Sequence, residues 1–278
     1  MRYSKSLNKQ LWIVFLCLML VGTVFHNISL AGETLKIGGA GSALGSMKSL
    51  AAAFEASRPG IKVTVLPSLG SIGGIKAVSK GAIDIGLVGR PLTKNELKLK
   101  LTLIEYAKTP LVFVTKKNIG VSNITTQEII RIFNGEMQTW PNGERIRPIL
   151  RQPAESNAIT VREISSAVSN AMDIAMSRPW RVVALTDQET ADLVEKTHGS
   201  FGFCTLTQII AENRHMTILA YNSIPPMLNN RVNAEYPISK NHAMAIKAHP
   251  STLVQQFIDF VKSPEGRKIL EKTGNAQI

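Results

Sequence analysis

Two short loops of small residues constrain this chain more than any other feature. Gly38-Gly39-Ala40-Gly41-Ser42 and Ser68-Leu69-Gly70-Ser71-Ile72-Gly73-Gly74 each follow an apolar run of strand length and precede a helical pattern. Before the first loop, Leu35-Lys36-Ile37 reads as a strand. After it, Met47, Leu50, Ala51 and Phe54 recur at the spacing of one buried helix face, which Arg58-Pro59-Gly60 stops. Ile61-Lys62-Val63-Thr64-Val65 alternates as a strand, a second helix carries Ile75 and Val78, and residues 83–88 form a third strand. Strands alternating with helices at this pace predict an α/β fold with a mainly parallel sheet.

The pattern continues less regularly. Residues 111–114 read as a strand, and Thr125-Thr126-Gln127-Glu128 is a capping box opening a short helix that ends near Asn134-Gly135. Residues 147–150 read as a strand, 156–168 as one helix with Ile164 and Val168 on its apolar side, and 199–206 as a strand. Leu253, Phe257, Phe260 and Val261 mark an amphipathic helix. Ser263-Pro264-Glu265 opens a last one, stopped at Gly274.

At the N-terminus, Arg2, Lys5 and Lys9 precede an apolar run over residues 11–25, and Ser29-Leu30-Ala31 closes it with small residues. This describes an export signal cleaved after Ala31, giving a periplasmic protein. Removal leaves 29 basic against 20 acidic residues, a charge of +9, and one cysteine, Cys204. An exported protein with one thiol has no internal disulfide, so its apolar core holds it together. Cys204, within an apolar strand-like run, is expected to be buried and inert. The basic residues are spread along the chain, which points to small anions rather than nucleic acid.

Catalytic patterns are missing. The mature histidines (198, 215, 242 and 249) have no metal-ligand spacing and read as surface or core residues; no G-x-S-x-G elbow or GK[ST] phosphate loop is present. Gly39-Ala40-Gly41-Ser42-Ala43-Leu44-Gly45 has one residue too many for a dinucleotide fingerprint. Neither an enzyme nor a cofactor is expected. The two small-residue loops instead bring free backbone N–H groups and a hydroxyl, Ser42 or Ser71, to a helix start, the geometry of an anion site. Arg90 and Arg151 each follow a strand and can project into the crevice where open α/β sheets bind ligands. Arg151 also precedes a third helix start at Glu155-Ser156-Asn157.

An ordered series of motifs along residues 34–274 resembles the phosphate-binding proteins of ABC importers, within the type II periplasmic solute-binding superfamily. The motifs are the two small-residue loops, Asp84-Ile85-Gly86, Thr109-Pro110-Leu111-Val112-Phe113, Ile132-Phe133-Asn134-Gly135-Glu136 with Trp140, and Arg151. Further along come Gly199-Ser200-Phe201-Gly202-Phe203, Tyr236-Pro237-Ile238-Ser239 and residues 257–266. The resemblance implies two α/β lobes, each a mainly parallel sheet flanked by helices, joined by hinge strands near residues 111–115 and near Ala220 or Tyr236. The expected organisation is a signal over 1–31, a first lobe over 32–113 and 222–278, and a second over 114–221.

The resemblance further implies a monomer that captures phosphate or a related oxyanion and presents it to an ABC permease. Ser71 matches a family hydroxyl ligand and Arg151 the family arginine. The usual hydroxyl of the first loop aligns with Ala43, leaving Ser42 as its substitute. The family aspartate that accepts the phosphate proton falls at Gly89, beside Arg90, and the Gly-Ser-Gly-Thr loop reads Ala154-Glu155-Ser156-Asn157. The candidate ligand set is therefore Ser42, Ala43, Ser71, Arg90, Arg151, Glu155, Ser156 and Asn157. Glu155 either supplies the missing acceptor or pairs with Arg151; in the first case Glu155→Gln changes the phosphate-over-sulfate preference. The alternative is a stand-alone exported protein of the same fold, a sensory or surface interaction module with a degenerate anion site.

Overall fold

The computed structural model describes residues 33–276, so the export segment expected over 1–31 lies outside the described residues. Strand β1 (Glu33–Gly39) runs into a single 3₁₀ turn (Gly41–Ala43) and helix α1 (Leu44–Ser57). After them come β2 (Ile61–Val65), α2 (Gly70–Ser79), β3 (Ile85–Val88) and a one-turn helix α3 (Lys94–Leu97). The apolar spacing is realised as predicted: α1 buries Met47, Leu50, Ala51 and Phe54. The Phe54 ring meets Phe257 edge-on at 5.1 Å.

β4 (Leu101–Lys116) is far longer than the predicted 111–114. Its first part pairs antiparallel with β13 (Ser239–Lys247), and residues 111–114 pair antiparallel with β8 (Ser200–Thr205). The extension escapes sequence reading because Glu105, Lys108 and Pro110 interrupt its apolar pattern. β6 (Arg147–Arg151) lies parallel to both β8 and β7 (Val182–Ala184). The sheet order is β2-β1-β3-β13-β4-β8-β6-β7, with β9 (Met216–Ile218) beside β4. β1 and β3 are parallel, as are β8, β6 and β7, whereas β13 runs antiparallel to β3 and β4, and β4 antiparallel to β8 and β9. The short β5 (Asn123–Ile124) and β10 (Ala220–Tyr221) pair with each other, as do β11 (Met227–Leu228) and β12 (Arg231–Val232).

Helix α4 (Thr126–Asn134) begins with the predicted capping box and ends at Gly135, at φ 77°. The single helix expected over 156–168 is two: α5 (Ser156–Arg162) and α6 (Ser166–Ser177). Ser165 turns extended and its hydroxyl accepts from the Val168 amide, which starts α6 afresh. The i, i+4 spacing of Ile164 and Val168 hid that break. Then come α7 (Asp187–Lys196), α8 (Leu206–Ala211), α9 (Thr252–Lys262) and α10 (Pro264–Lys272).

Among the described residues two large hydrophobic cores fill the α/β fold, with a small cluster of Ile75, Val88 and Ala245 beside them. One gathers β1–β3, α1, β13, α9 and α10 around Phe54, Met244 and Phe257. The other runs from Leu111 to Ile238 and centres on Phe113, Phe133, Phe201 and Phe203. Cys204 lies buried in the second, and burial pushes its thiol well above the usual range. β4 contributes Tyr106 and Ala107 to one core and residues 111–114 to the other, so it runs through both.

Candidate anion-binding site

Three helix starts meet between the two cores, each delivered by the end of a strand. β1 ends at Gly39 with φ 141°, where a Cβ would lie 2.2 Å from the Leu87 carbonyl oxygen. Only glycine permits that close turn, which swings residues 40–43 off the sheet and into the crevice. Ser42 is buried there: its hydroxyl meets His242 Nε2 at 3.2 Å and its N–H donates to Asp187 Oδ2 at 3.0 Å. The Ala43 amide donates to the Ala40 carbonyl at 3.1 Å, so of the two adjacent candidates Ser42 is the one whose amide reaches across to Asp187. Ser71, in the first turn of α2, is buried and its hydroxyl accepts from the Gly89 amide at 3.1 Å.

Arg151, the last residue of β6, is 2% exposed and faces the same crevice. One terminal nitrogen donates to Thr190 Oγ1 at 3.1 Å. The other lies 3.0 Å from Glu155 Oε1 and 3.7 Å from Asp187 Oδ1. Its buried Nε has no partner among the described residues. Glu155 both caps α5, accepting from the Asn157 amide at 2.9 Å, and holds the arginine. Burial works against its ionisation, but Arg151, Lys240 and the Asn157 amide outweigh that and hold the carboxyl below its ordinary value.

Arg90 is placed differently from the other candidates. Both terminal nitrogens grip Glu96, at 2.7 and 2.8 Å, and this pair draws the Glu96 carboxyl down to about 2. The cation that stands against Gly89 is instead Lys240, from β13. A Cβ at residue 89 would lie 2.9 Å from Lys240 Nζ and 3.2 Å from Ser156 Oγ. The ammonium is buried, donating to Ser156 Oγ at 2.9 Å and Asn157 Oδ1 at 2.6 Å. Burial lowers it to about 8, against the pull of Glu155 and Asp187. Where the resemblance places a carboxylate, this chain therefore has open backbone and a lysine head.

Asp187, Lys240 and His242 complete the site and none of them was predicted. Asp187 opens α7, is 3% exposed, and accepts from Asn157 Nδ2 at 2.7 Å as well as from Ser42. Burial, with Glu155 adding to it, lifts its carboxyl to about 6 despite Arg151, Lys240 and the Ser42 amide. Burial and Lys240 hold His242 down at about 3, so its ring stays neutral. The His242 ring-carbon resonances are expected to stay fixed between pH 5 and 8, as an NMR titration will show; a midpoint near 6.5 would mean the ring is not sealed in. At neutral pH two buried cations, Arg151 and Lys240, stand against two buried carboxylates, Glu155 and Asp187.

A cleft of about 670 Å³, lined by Gly89, Arg90 and Lys240 from one side and Ile159, Thr160 and Glu163 from the other, opens beside this cluster. A groove of about 700 Å³ between Arg145, Arg147, Arg178 and Trp180 lies at the other end of β6 and holds none of the candidate residues. Among the described residues, no group of three or more His, Cys, Asp or Glu is placed to hold a metal ion.

The chain is 26% identical over 214 residues to the phosphate-binding protein PstS of Borreliella burgdorferi, covering 74% of this chain and 76% of that protein. With the Bacillus subtilis PstS it is 22% identical over 243 residues, 86% and 78% of the two chains. The fold is that of a putative phosphate ABC transporter substrate-binding protein from Clostridium perfringens, solved with bound phosphate. The TM-score is 0.76 at 21% identity, over 88% of this chain and 100% of that one. The PBP superfamily domain profile matches residues 28–265, and the chain belongs to the PBP superfamily.

Proposed function

We propose that this protein captures phosphate between its two lobes in the periplasm and hands it to an ABC permease, without catalysing a reaction. The observation that carries this reading is the buried guanidinium of Arg151 facing, across the crevice, the helix start that presents the Ser42 amide. Helix starts favour an anion by about 0.3–1 kcal/mol each when exposed and up to ~2 kcal/mol when partly buried. A charge-assisted hydrogen bond contributes roughly 1.5–3 kcal/mol. Two or three starts, Arg151 and Lys240 together reach the ~8 kcal/mol of a micromolar site. The likeness to the two PstS proteins supports phosphate as the ligand, and the export pattern of residues 1–31 supports the compartment.

Function then lies in the difference in affinity between open and closed arrangements. We place the crossings between lobes at residues 109–111 and 238–239, where membership of the two cores changes over. Calorimetric titration of the chain starting at Gly32, unfolded and refolded to strip bound ligand, tests the reading. Micromolar phosphate binding supports it, and the absence of any phosphate heat overturns it.

A second reading has one observation in its favour. The Asp187 carboxylate already takes the Ser42 and Asn157 donors, as it would in a stand-alone exported protein whose anion site is degenerate. Binding of no anion from a panel of phosphate, sulfate and phosphonate would favour it.

A further inference from the structure

We propose that the Asp187 carboxylate is an internal occupant of the anion site, which an incoming oxyanion must displace, so that Asp187 sets the affinity of the site. This rests on the reading of the crevice as a phosphate site. Two oxygens of one carboxylate bridge the lobes here. Oδ2 accepts from the Ser42 N–H at the start of α1, and Oδ1 accepts from Asn157 Nδ2 in the first turn of α5, 3.7 Å from Arg151 Nη2. Those donors come from both sides of the crevice and converge on one point, which is what a tetrahedral oxyanion requires.

The loop is shaped for this occupant. A Cβ on Gly41 would lie 2.6 Å from Asp187 Oδ2, so glycine leaves room for the carboxylate to reach the Ser42 amide. The first turn of α7 is tied to the arginine as well, since Thr190 accepts from Arg151. An anion entering beside Lys240 therefore meets donors already in use, and has to push out a like charge to reach them. The competition is intramolecular, so its strength is independent of protein concentration.

The charged and titratable groups facing Asp187 are Arg151 on β6, Glu155 ahead of α5, Lys240 and His242 on β13, and Cys204 on β8. Between pH 7 and 5 none of these changes charge, because Glu155 lies low, His242 is neutral, and Lys240 and Cys204 titrate above neutrality. Asp187, lifted to about 6, loses its charge across that interval. Protonation removes the like charge and one acceptor, so competition fades as the pH falls.

The test is titration of inorganic phosphate into the wild-type and Asp187→Asn chains at pH 7 and pH 5. Taking the ratio of the two dissociation constants at each pH cancels the ionisation of phosphate itself. The expected result is binding about tenfold or more tighter in the variant at pH 7, with the ratio approaching one at pH 5. Equal or weaker binding by a folded variant at pH 7 overturns the proposal and leaves the phosphate reading standing. Silence from the wild-type chain at both pH values removes the phosphate reading and the proposal with it.

A measurement on the wild-type chain guards against a misfolded variant. The Ser42 amide resonance is expected to follow a titration near pH 6 in free protein and to lose that dependence in saturating phosphate. Persistence of the same titration with phosphate bound overturns the proposal.

Discussion

An Arg151→Met variant is expected to lose phosphate binding by about a hundredfold to ten-thousandfold, the equivalent of two charge-assisted hydrogen bonds at roughly 1.5–3 kcal/mol each. Stability falls too. Arg151 is the cation between Glu155 and Asp187, and removing one partner of a buried pair typically costs about 3–5 kcal/mol. The pH dependence distinguishes this from simple loss of packing. Without the guanidinium both carboxyls climb, because Arg151 is among the groups holding each of them down. A carboxyl whose folded pKa is raised above its unfolded value favours the fold at low pH and loses that advantage as the pH rises through the folded value. The destabilisation is therefore larger at pH 8 than at pH 5, as urea unfolding will show; an equal cost at both pH values would place the arginine outside the charge cluster.

Lys240→Met gives the second large effect, with the same direction of pH dependence in a more alkaline window. The lysine is depressed to about 8 in the fold, below its ordinary value near 10.5. Over that interval the unfolded chain holds the proton and the folded chain does not, so the wild type gains stability as the pH rises. Over the full interval the gain is on the order of 3 kcal/mol. The variant lacks it, so its stability relative to wild type falls between pH 7 and 10. Taking the difference between the two chains cancels the opposing rise of the Cys204 thiol, which both share. A relative stability that is flat across this range would contradict the burial of a charged amine.

The same substitution reads ligand preference. With an ammonium rather than a carboxylate standing against Gly89, that position offers a donor to the anion and no acceptor for a phosphate proton. Phosphate and sulfate are therefore expected to bind within about tenfold of each other, a gap of ~1.4 kcal/mol. Lys240→Met weakens both.

What the sequence reveals and what it hides follows from where each residue finds its partners. The strand ends and helix starts of the first lobe are local features, set by small-residue loops and a few apolar residues at fixed spacing, and they stand where residues 35–88 predict them. Ser42 and Ser71 are buried at those junctions, and Arg151, Ser156 and Asn157 at the corresponding junction of β6 and α5. Asp187 gives no such signal: Thr186-Asp187 looks like any helix opening, and its partner Ser42 lies 145 residues away. His242 reads as an ordinary histidine until β13 crosses between the lobes and brings it to Ser42, 200 residues distant. Lys240 shares that strand, whose polar opening Ser239-Lys240-Asn241-His242 looks solvent-facing. Arg90 is the reverse case, a residue at a strand end that finds Glu96 only six positions on. Periodicity locates the ends of strands; it does not say which distant side chain fills the space between them.

The account stands most directly on where phosphate goes. A ¹H–¹⁵N titration of the chain starting at Gly32 is expected to shift the amides of Ser42 and Ser71 on one lobe together with those of Ser156 and Asn157 on the other. The Arg151 side-chain resonances move in the same step, with a single dissociation constant for all. Shifts confined to one lobe, or centred on the arginines at the far end of β6, would contradict capture between the lobes.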